Sequence, residues 1–188
     1  MRKLIVWNMM TLDGFFEGPN PWEIDWHEYV WGDELEAFSL AQGQEAGAVL
    51  FGRKTYEGMA AHWMSAEGEV AEFMNEIPKL VFSNTLEAAE WRNTRLVRGR
   101  AEDELPRLKE ESGKDLFIFG SAELTDALTQ RGLVDEYRVA LNPLLLGGGN
   151  PLFKPSDARI RLQLLEARPM ATGVVILRYG RTDAFGRS

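Results

Sequence analysis

The stretch DLFIFGSAEL, residues 115–124, decides the fold. Its first five residues are almost continuously apolar, a pattern typical of a strand that is covered on both faces. Gly120 and Ser121 then form a small turn, and the helix predicted over residues 122–130 begins directly after it. A strand that passes through such a turn into a helix is the repeating unit of an α/β protein with a parallel sheet.

The same unit recurs on the amino-terminal side of this stretch. The run GAVLF, residues 47–51, predicts a buried strand that leads through the turn GRKT, residues 52–55, into a short helix. The run KLVF, residues 79–82, predicts another strand, which ends in the turn SNT, residues 83–85. The remaining predictions here are strands over residues 3–10 and 95–98, and helices over 33–42, 68–76 and 102–111.

Beyond residue 132 the helical patterns stop. Residues 135–142 predict a strand, and a loop rich in Gly and Pro follows over residues 143–155. Two extended segments, residues 159–168 and 173–181, predict an antiparallel hairpin at the edge of the sheet. Because no repeat or linker divides the chain, we predict one domain over residues 1–188, with a mostly parallel central sheet.

Composition and charge exclude several classes of protein. The net charge is −8, whereas a nucleic-acid-binding protein usually carries a basic surplus, so we expect no nucleic-acid partner. The absence of cysteine excludes disulfides, thiolate zinc sites and cysteine nucleophiles. The apolar run near the N-terminus is too short to span a membrane. We therefore expect a cytoplasmic protein without a membrane partner.

Three predicted strands end in the small or polar turns at residues 52–55, 83–85 and 120–121. The carboxyl ends of parallel strands meet at one edge of the sheet, where open α/β sheets bind their ligands. Helix N-termini there present free N–H groups to a phosphate, and glycine lets the phosphate approach the backbone. Positive charge comes from Arg53, Lys54 and Arg98. Together these features predict a nucleotide-binding cleft.

The common phosphate-binding motifs GxGxxG and GxxxxGK[ST] are absent, so the usual dinucleotide fold and the P-loop are disfavoured. Gly147-Gly148-Gly149 follows a predicted strand but leads to Asn150-Pro151 and not into a helix. We interpret this glycine run as a structural turn.

Acidic and aromatic residues are concentrated in the first third of the chain. A proton donor for hydride transfer needs a half-buried carboxyl group beside a flat apolar pocket. The candidates are Asp13, Glu17, Asp25, Asp33, Glu34 and Glu36, of which Asp33 is predicted to cap a helix. The nearby tryptophans either pack the core and the long connection over residues 11–32 or stack on a planar ring. His27 and His62 are predicted at the surface or the rim of a pocket, with no metal site.

Six segments carry a family resemblance over residues 2–181: MTLDGF (10–15), GRKTYE (52–57), LVFSN (80–84), FIFGSAEL (117–124), GLVDEY (132–137) and LGGGNPLF (146–153). In this order the chain resembles the dihydrofolate reductase superfamily. It is most similar to the branch that contains the reductase domain of the riboflavin-biosynthesis deaminase-reductase. The resemblance implies a three-layer α/β fold of the dihydrofolate reductase type.

The resemblance also implies NADPH as the cofactor, lying across the carboxyl ends of the parallel strands. Residues 52–55 would then contact the pyrophosphate, and Ser83 and Asn84, helped by Arg53 or Arg98, would contact the adenosine 2′-phosphate. The second helix terminus would be lined by Gly120, Ser121, Ala122 and Leu124. The loop over residues 11–14 would close over the nicotinamide, and Asp13 or Glu36 would assist the delivery of a proton.

The activity implied is hydride transfer to a pyrimidine- or pterin-type heterocycle, as in 5-amino-6-(5-phosphoribosylamino)uracil reductase of riboflavin biosynthesis. The zinc deaminase half of the bifunctional enzyme is absent, since it needs cysteine ligands. Two alternatives stay open, a dihydrofolate reductase and a nucleotide-binding protein without catalysis. Relatives often pair, so a homodimer is expected.

Overall fold

The computed structural model describes residues 1–157 and 159–182. The strands are β1 (Leu4–Thr11), β2 (Phe15–Glu17), β3 (Ala46–Gly52), β4 (Lys79–Phe82), β5 (Thr94–Val97), β6 (Asp115–Phe119), β7 (Glu136–Asn142), β8 (Asn150–Pro151), β9 (Leu162–Pro169) and β10 (Val175–Arg181). The helices are α1 (Asp33–Glu45), α2 (Arg53–Trp63), α3 (Glu69–Glu76), α4 (Ala101–Glu110) and α5 (Ala122–Gln130), and a short 3-10 helix spans Asp25–Tyr29.

Eight strands form one sheet in the order β5-β4-β3-β6-β1-β7-β10-β9. Neighbours from β5 through to β7 are parallel, and β10 is antiparallel to both β7 and β9. The predicted mostly parallel sheet with an antiparallel C-terminal hairpin is therefore confirmed. In the middle of the sheet, Val6 of β1 pairs with Ile118 of β6 on one side and Tyr137 of β7 on the other.

Helices cover both faces of the sheet, which makes three layers. Successive strand residues point to opposite faces, so Leu4 and Val6 pack in the core under α4 and α5, together with Leu105 and Leu128. Ile5 packs on the opposite face, in the core under α2 and α3. Burial on both faces explains why the parallel strands are almost continuously apolar in sequence.

A third apolar cluster holds α1 against the other half of the sheet. Leu35 and Phe38 of α1 pack against Ala140 of β7 and Ile176 of β10. Trp7 borders this cluster, with its ring centroid 5.3 Å from that of Phe38. The position of α1 over β1, β7 and β10 places one face of this helix beside the carboxyl end of β1.

Two sequence-based expectations are corrected. Asp33 is the first residue of α1 and not its cap, since Gly32 holds the N-cap position and makes no side-chain cap hydrogen bond. The connections predicted as irregular also contain structure, because β2 pairs antiparallel with β8 from the loop after β7. A two-stranded ribbon this short has no local sequence signal.

An ion-pair network ties α1 to the C-terminal strands. The buried carboxylate of Glu136 accepts hydrogen bonds from Arg138 Nε at 2.7 Å and Arg178 Nε at 2.8 Å. Arg138 also reaches Glu45 at the end of α1, and Arg178 reaches Glu166 of β9. Burial alone raises the pKa of Glu136, but the two arginines outweigh burial and the net shift is downward.

No helix in the described ranges is long and apolar enough to cross a membrane.

Candidate active site

A cleft of about 1920 Å³ runs along the carboxyl ends of β1, β3, β4 and β6. Pockets for a single drug-sized ligand usually measure about 300–1,000 Å³, so this cleft has room for two ligands. One end, here called the cofactor end, is lined by Gly52–Thr55, Ser83–Thr85 and Gly120–Leu124. The other, here called the second compartment, is lined by Trp7, Met9, Trp22, His27, Trp31, Glu36, Ser39 and Gln42.

Two helix N-termini meet at the cofactor end. Neither α2, capped by Gly52, nor α5, capped by Ser121, has a side-chain hydrogen bond at its N-cap. Their first N–H groups are therefore available to an anion. The Gly52 N–H donates to Ser121 Oγ at 3.2 Å, which joins the two turns. The first turn of α2 contains no acidic residue, so its positive dipole end is not neutralised.

The two glycines at this end differ in whether the fold requires them. Gly120 has φ +67°, and a Cβ there would lie 3.0 Å from Thr55 Cγ2, so the turn itself needs glycine. Gly52 has φ −79°, and a Cβ there would meet no atom within 4 Å. The protein fold does not need glycine at position 52, and the space beside its backbone opens into the cleft.

The turn after β4 forms the far wall of the cofactor end. Ser83 Oγ accepts hydrogen bonds from the N–H groups of Thr85 and Leu86, which holds the turn in shape. Asn84 Oδ1 accepts from the Gly99 N–H at 2.9 Å. Arg98 Nη1 donates to the Ser83 carbonyl at 2.8 Å, and Arg98 lies behind the turn, outside the cleft lining.

The structure thus brings ten of the eleven predicted cofactor residues to one cleft and leaves Arg98 behind it. The ten are Gly52, Arg53, Lys54, Thr55, Ser83, Asn84, Gly120, Ser121, Ala122 and Leu124. Arg53 lies 3.4 Å from Glu57, and Lys54 lies 3.9 Å from Glu123. Both ion pairs are exposed and weak, so both cations can turn toward a bound anion.

The two predicted proton donors occupy different places. Asp13 lies outside the cleft lining, where its carboxylate accepts from Thr11 Oγ1 at 2.6 Å and from the N–H groups of Leu146 and Gly147. The Thr11 hydroxyl and these N–H groups lower the pKa of Asp13. This arrangement joins the loop after β1 to the glycine run after β7 and disfavours Asp13 as a proton donor.

Glu36 lies in the second compartment. It is half-buried on α1 and lines the cleft together with Ser39 and Gln42, which follow on the same helix face. Asp33, one turn earlier, is exposed and does not line the cleft. Glu36 is therefore the predicted acid that the structure places beside a ligand.

The glycine run after β7 takes part in the loop packing and not in the cleft. Gly147 has φ +78° and Gly149 has φ +152°, and a Cβ at Gly149 would collide with the Glu17 carbonyl. The element directly after this run is β8 and not a helix. The geometry agrees with its interpretation as a structural turn.

Residues 2–176 match the RibD C-terminal domain. The chain belongs to the RibD C-terminal domain family. It is also 30% identical to the uncharacterized protein YyaP of Bacillus subtilis (strain 168), over 95% of this chain and 94% of that protein. The predicted family resemblance is confirmed.

Similar solved structures confirm the fold. A protein from Shewanella sp. PV-4 assigned to riboflavin biosynthesis superposes with a TM-score of 0.81 at 20% identity, over 96% of this chain and 99% of that one. Dihydrofolate reductase from Enterococcus faecalis, in complex with NADP(H), superposes with a TM-score of 0.64 at 12% identity. That similarity covers 96% of this chain and 97% of the reductase. The three-layer dihydrofolate-reductase-like fold is therefore established for this family member.

Asn8 lines the cleft and was missed in the sequence. Asn8 is only 6% exposed and lies just past Trp7, the last β1 residue paired with β6. Its Nδ2 is buried without a hydrogen-bond partner among the described residues, and so is Nε2 of His27. A buried amide or imidazole left unpaired is costly, so both groups mark places where a ligand can bond. Their sequence neighbours give no signal of this.

Burial sets the charge of His27. It lowers the pKa of this imidazole from 6.5 to about 4, and the nearby Asp25 carboxylate offsets only part of the effect. His27 is therefore neutral at neutral pH, and the expectation that it lies at a pocket rim agrees with its position in the cleft. Within the described ranges, no group of three His, Asp or Glu side chains is placed to hold a metal ion.

Trp22 closes the cleft over α2. A Cβ at Gly58, in the middle of α2, would overlap the Trp22 indole, so the ring lies directly on the helix backbone. Trp22 has φ 66°, unusual for a bulky residue, and its N–H donates to Glu17 Oε2 at 3.0 Å. The long connection between β1 and α1 therefore crosses the cleft and contacts its opposite wall.

Proposed function

We propose that this protein is an NADPH-dependent reductase that transfers a hydride to a pyrimidine- or pterin-type heterocycle. The observation that carries the proposal is the pair of uncapped helix N-termini, α2 and α5, which meet at one end of a cleft large enough for two ligands. A pyrophosphate bound there gains hydrogen bonds and the field of both helices.

The dimensions of the cleft support an extended dinucleotide. From β4 to β1 the sheet crosses three strand spacings, about 14 Å at about 4.8 Å each. With the pyrophosphate between α2 and α5, the adenosine 2′-phosphate would reach Ser83 and Asn84 after β4. The nicotinamide would lie where β6 and β1 diverge, beside the free amide of Asn8.

When bound, NADPH supplies the hydride. The chain would hold the acceptor ring beside Trp7 and Met9 and exclude water with Trp22 and Trp31. A C=N bond that gains a hydride at carbon needs one proton at nitrogen, and Glu36 would deliver it directly or through a water. An aminouracil substrate with a ribose phosphate additionally requires a cation beside the second compartment.

NADPH binding tests the proposal, measured by quenching of tryptophan fluorescence with NADH in parallel. The decisive variant is Gly52→Ala, because the added methyl group meets no protein atom but fills the space predicted for the pyrophosphate. We expect micromolar NADPH binding, weaker NADH binding, and at least about a tenfold loss of NADPH affinity in Gly52→Ala with unchanged thermal stability.

Gly148→Ala is the matched control. A Cβ at Gly148 also meets no atom within 4 Å, and this glycine lies outside the cleft lining. Its NADPH affinity should equal that of the wild type. Failure of both nucleotides to bind at about millimolar concentration, or equal binding in Gly52→Ala and wild type, would contradict the proposal.

A further inference from the structure

The walls of the second compartment come from a strongly acidic part of the chain. From Leu4 to Pro78 the sequence contains fourteen Asp and Glu residues against two cations, Arg53 and Lys54. No lysine or arginine occurs from Leu4 to Gly52, the segment that supplies β1, the long connection and α1. Every wall that this segment contributes to the cleft is therefore neutral or acidic.

The charged side chains that line the cleft are also distributed unevenly. Acidic lining residues on the α1 side and along α2 and α3 are Glu17, Asp25, Glu28, Glu36, Glu67 and Glu69. The Lys and Arg side chains that line the cleft in the described ranges are Arg53, Lys54 and Lys154. Arg53 and Lys54 begin α2, at the cofactor end.

Lys154 is a cleft-lining residue from the loop after β7. Its neighbour Phe153 packs against Tyr137, in the core under α4 and α5, at a centroid distance of 5.9 Å. Ser156, two residues further on, donates to Gln130 at the end of α5. The residues on either side of Lys154 therefore pack on the α5 side, while Asn150, four residues earlier, donates to Glu17 Oε1 in the acidic wall.

Neutral groups in the second compartment suit a flat ring. Trp7, Trp22 and Trp31 provide aromatic surface. Nε2 of His27 is buried and without a partner among the described residues. A neutral imidazole can donate to a ring carbonyl or accept from a ring N–H group.

We propose that the second compartment takes an uncharged or cationic planar nitrogen heterocycle that carries neither a phosphate nor a carboxylate tail. This inference rests on the proposed reductase function and narrows its substrate class. A phosphate in this compartment would face several carboxylates, and among the described residues Lys154 is the only lining lysine or arginine outside the cofactor end. Like charges in a partly desolvated cleft repel strongly, and one cation does not offset several carboxylates. A phosphoribosyl aminouracil and dihydrofolate, which ends in a glutamate, are both disfavoured as substrates.

Two pairs of ring compounds test the inference, because the members of each pair differ in the anionic tail. Riboflavin and FMN differ by one phosphate. 7,8-Dihydrobiopterin and 7,8-dihydrofolate share the pterin ring and differ in the side chain at C6, which ends in a dicarboxylate only in dihydrofolate. Binding of each compound to the protein saturated with NADP⁺ is measured by isothermal titration calorimetry. We expect the compound without the anionic tail to bind at least about tenfold more tightly in at least one pair.

Charge reversal provides the specific control. Asp25→Lys/Glu28→Lys places two cations in the second compartment and should bring FMN affinity to that of riboflavin or above. Glu87→Lys/Glu90→Lys makes the same change in net charge at exposed positions outside the cleft lining and should leave the ratio unchanged. High salt should narrow the wild-type ratio, since the screening length falls from about 10 Å at 0.1 M to about 3 Å at 1 M.

Three results would overturn the inference: a preference below about tenfold in both pairs, tighter binding of the anionic member in either pair, or failure of all four compounds to bind. Failure of NADP⁺ itself to bind, measured beforehand in a separate titration, counts against the proposed function. In that case the pairs are titrated against the protein without cofactor, and the inference still requires the same order of affinities.

Discussion

His27 shows how burial of one residue alters stability with pH. Its pKa is lowered from 6.5 to about 4 in the folded protein. Between these values the unfolded chain binds a proton that the folded chain does not, so the free energy of unfolding falls as the pH drops from 6.5 to 4. This contribution amounts to about 2–3 kcal/mol at pH 4.

The His27→Gln variant removes this proton uptake. Urea unfolding at pH 7 and pH 4.5 should show a smaller loss of stability for His27→Gln than for the wild type. His62→Gln changes the other histidine, which is exposed on α2, and should behave like the wild type. Equal losses in the wild type and His27→Gln would show that His27 is not protected from protonation.

Substitutions at Glu36 and at Asp13 are expected to affect kcat differently. Glu36→Gln keeps the shape of the side chain but removes the acid, so kcat for a reducible heterocycle should fall by about 10²-fold or more. NADPH affinity should hardly change, because Glu36 lies in the second compartment. A plot of kcat against pH should also lose the decline that deprotonation of this acid causes in the wild type.

Glu34→Gln is the matched control for that experiment. Glu34 is exposed on the same helix, outside the cleft, and accepts a hydrogen bond from the Ala171 N–H that glutamine can also accept. Its kcat should equal that of the wild type. Asp13→Asn should alter kcat by less than Glu36→Gln, and a larger loss in Asp13→Asn would restore Asp13 as the proton donor.

At the scale of elements, α2 and the long connection restrain each other through one contact. Glycine inside a helix normally costs about 1 kcal/mol relative to alanine. Gly58→Ala should nevertheless destabilise the protein or release the connection, because the new methyl group displaces the Trp22 indole. The change is measured by urea unfolding and by the rate of proteolysis within residues 18–31.

A double-mutant cycle isolates this contact. In the Trp22→Ala background the space above Gly58 is open, so Gly58→Ala should be neutral or stabilising. The two substitutions should therefore be non-additive by about 1 kcal/mol or more. Simple additivity would mean that the connection does not lie on α2 in solution.

The ion-pair network is a property of the whole molecule, since it joins α1 to β7, β10 and β9. Arg138 is 2% exposed, and its removal leaves Glu136 buried with one arginine in place of two. Arg138→Met should lower the free energy of unfolding by about 2–4 kcal/mol, measured by urea denaturation.

Glu166→Gln is the control at the rim of the same network. The Glu166 carboxylate is about one-third exposed and pairs with Arg178 at 3.1 Å. Its loss should cost less than about 1 kcal/mol. If both variants lose the same small amount of unfolding free energy, the buried ion pairs of Arg138 stabilise the protein no more than the exposed pair does.

The homodimer expected from the resemblance stays a prediction. The edge strand β9 exposes Leu164 and Leu165, each about half accessible, and an open strand edge is a place where sheets can pair. Sedimentation of the full chain would decide the oligomeric state.

The order of elements and the meeting of three strand-end turns at one end of the cleft were determined by the sequence itself. Buried parallel strands are apolar throughout, and their turns carry Gly, Ser and Asn, so residues 47–55, 79–85 and 115–124 are informative locally. Parallel pairing then brings their carboxyl ends to one edge whatever the details of packing. The hairpin of β9 and β10 is likewise local, because its strands are neighbours in the chain.

Only the tertiary structure decided the second compartment. The N–H groups that hold Asp13 come from Leu146 and Gly147, more than 130 residues away, and they turn its carboxylate out of the cleft. Trp22 meets Gly58, and Asn8 is left unpaired, only because the connection crosses the cleft and β6 departs from β1. Such contacts join distant parts of the chain, so the free energy that selects them is absent from any local pattern.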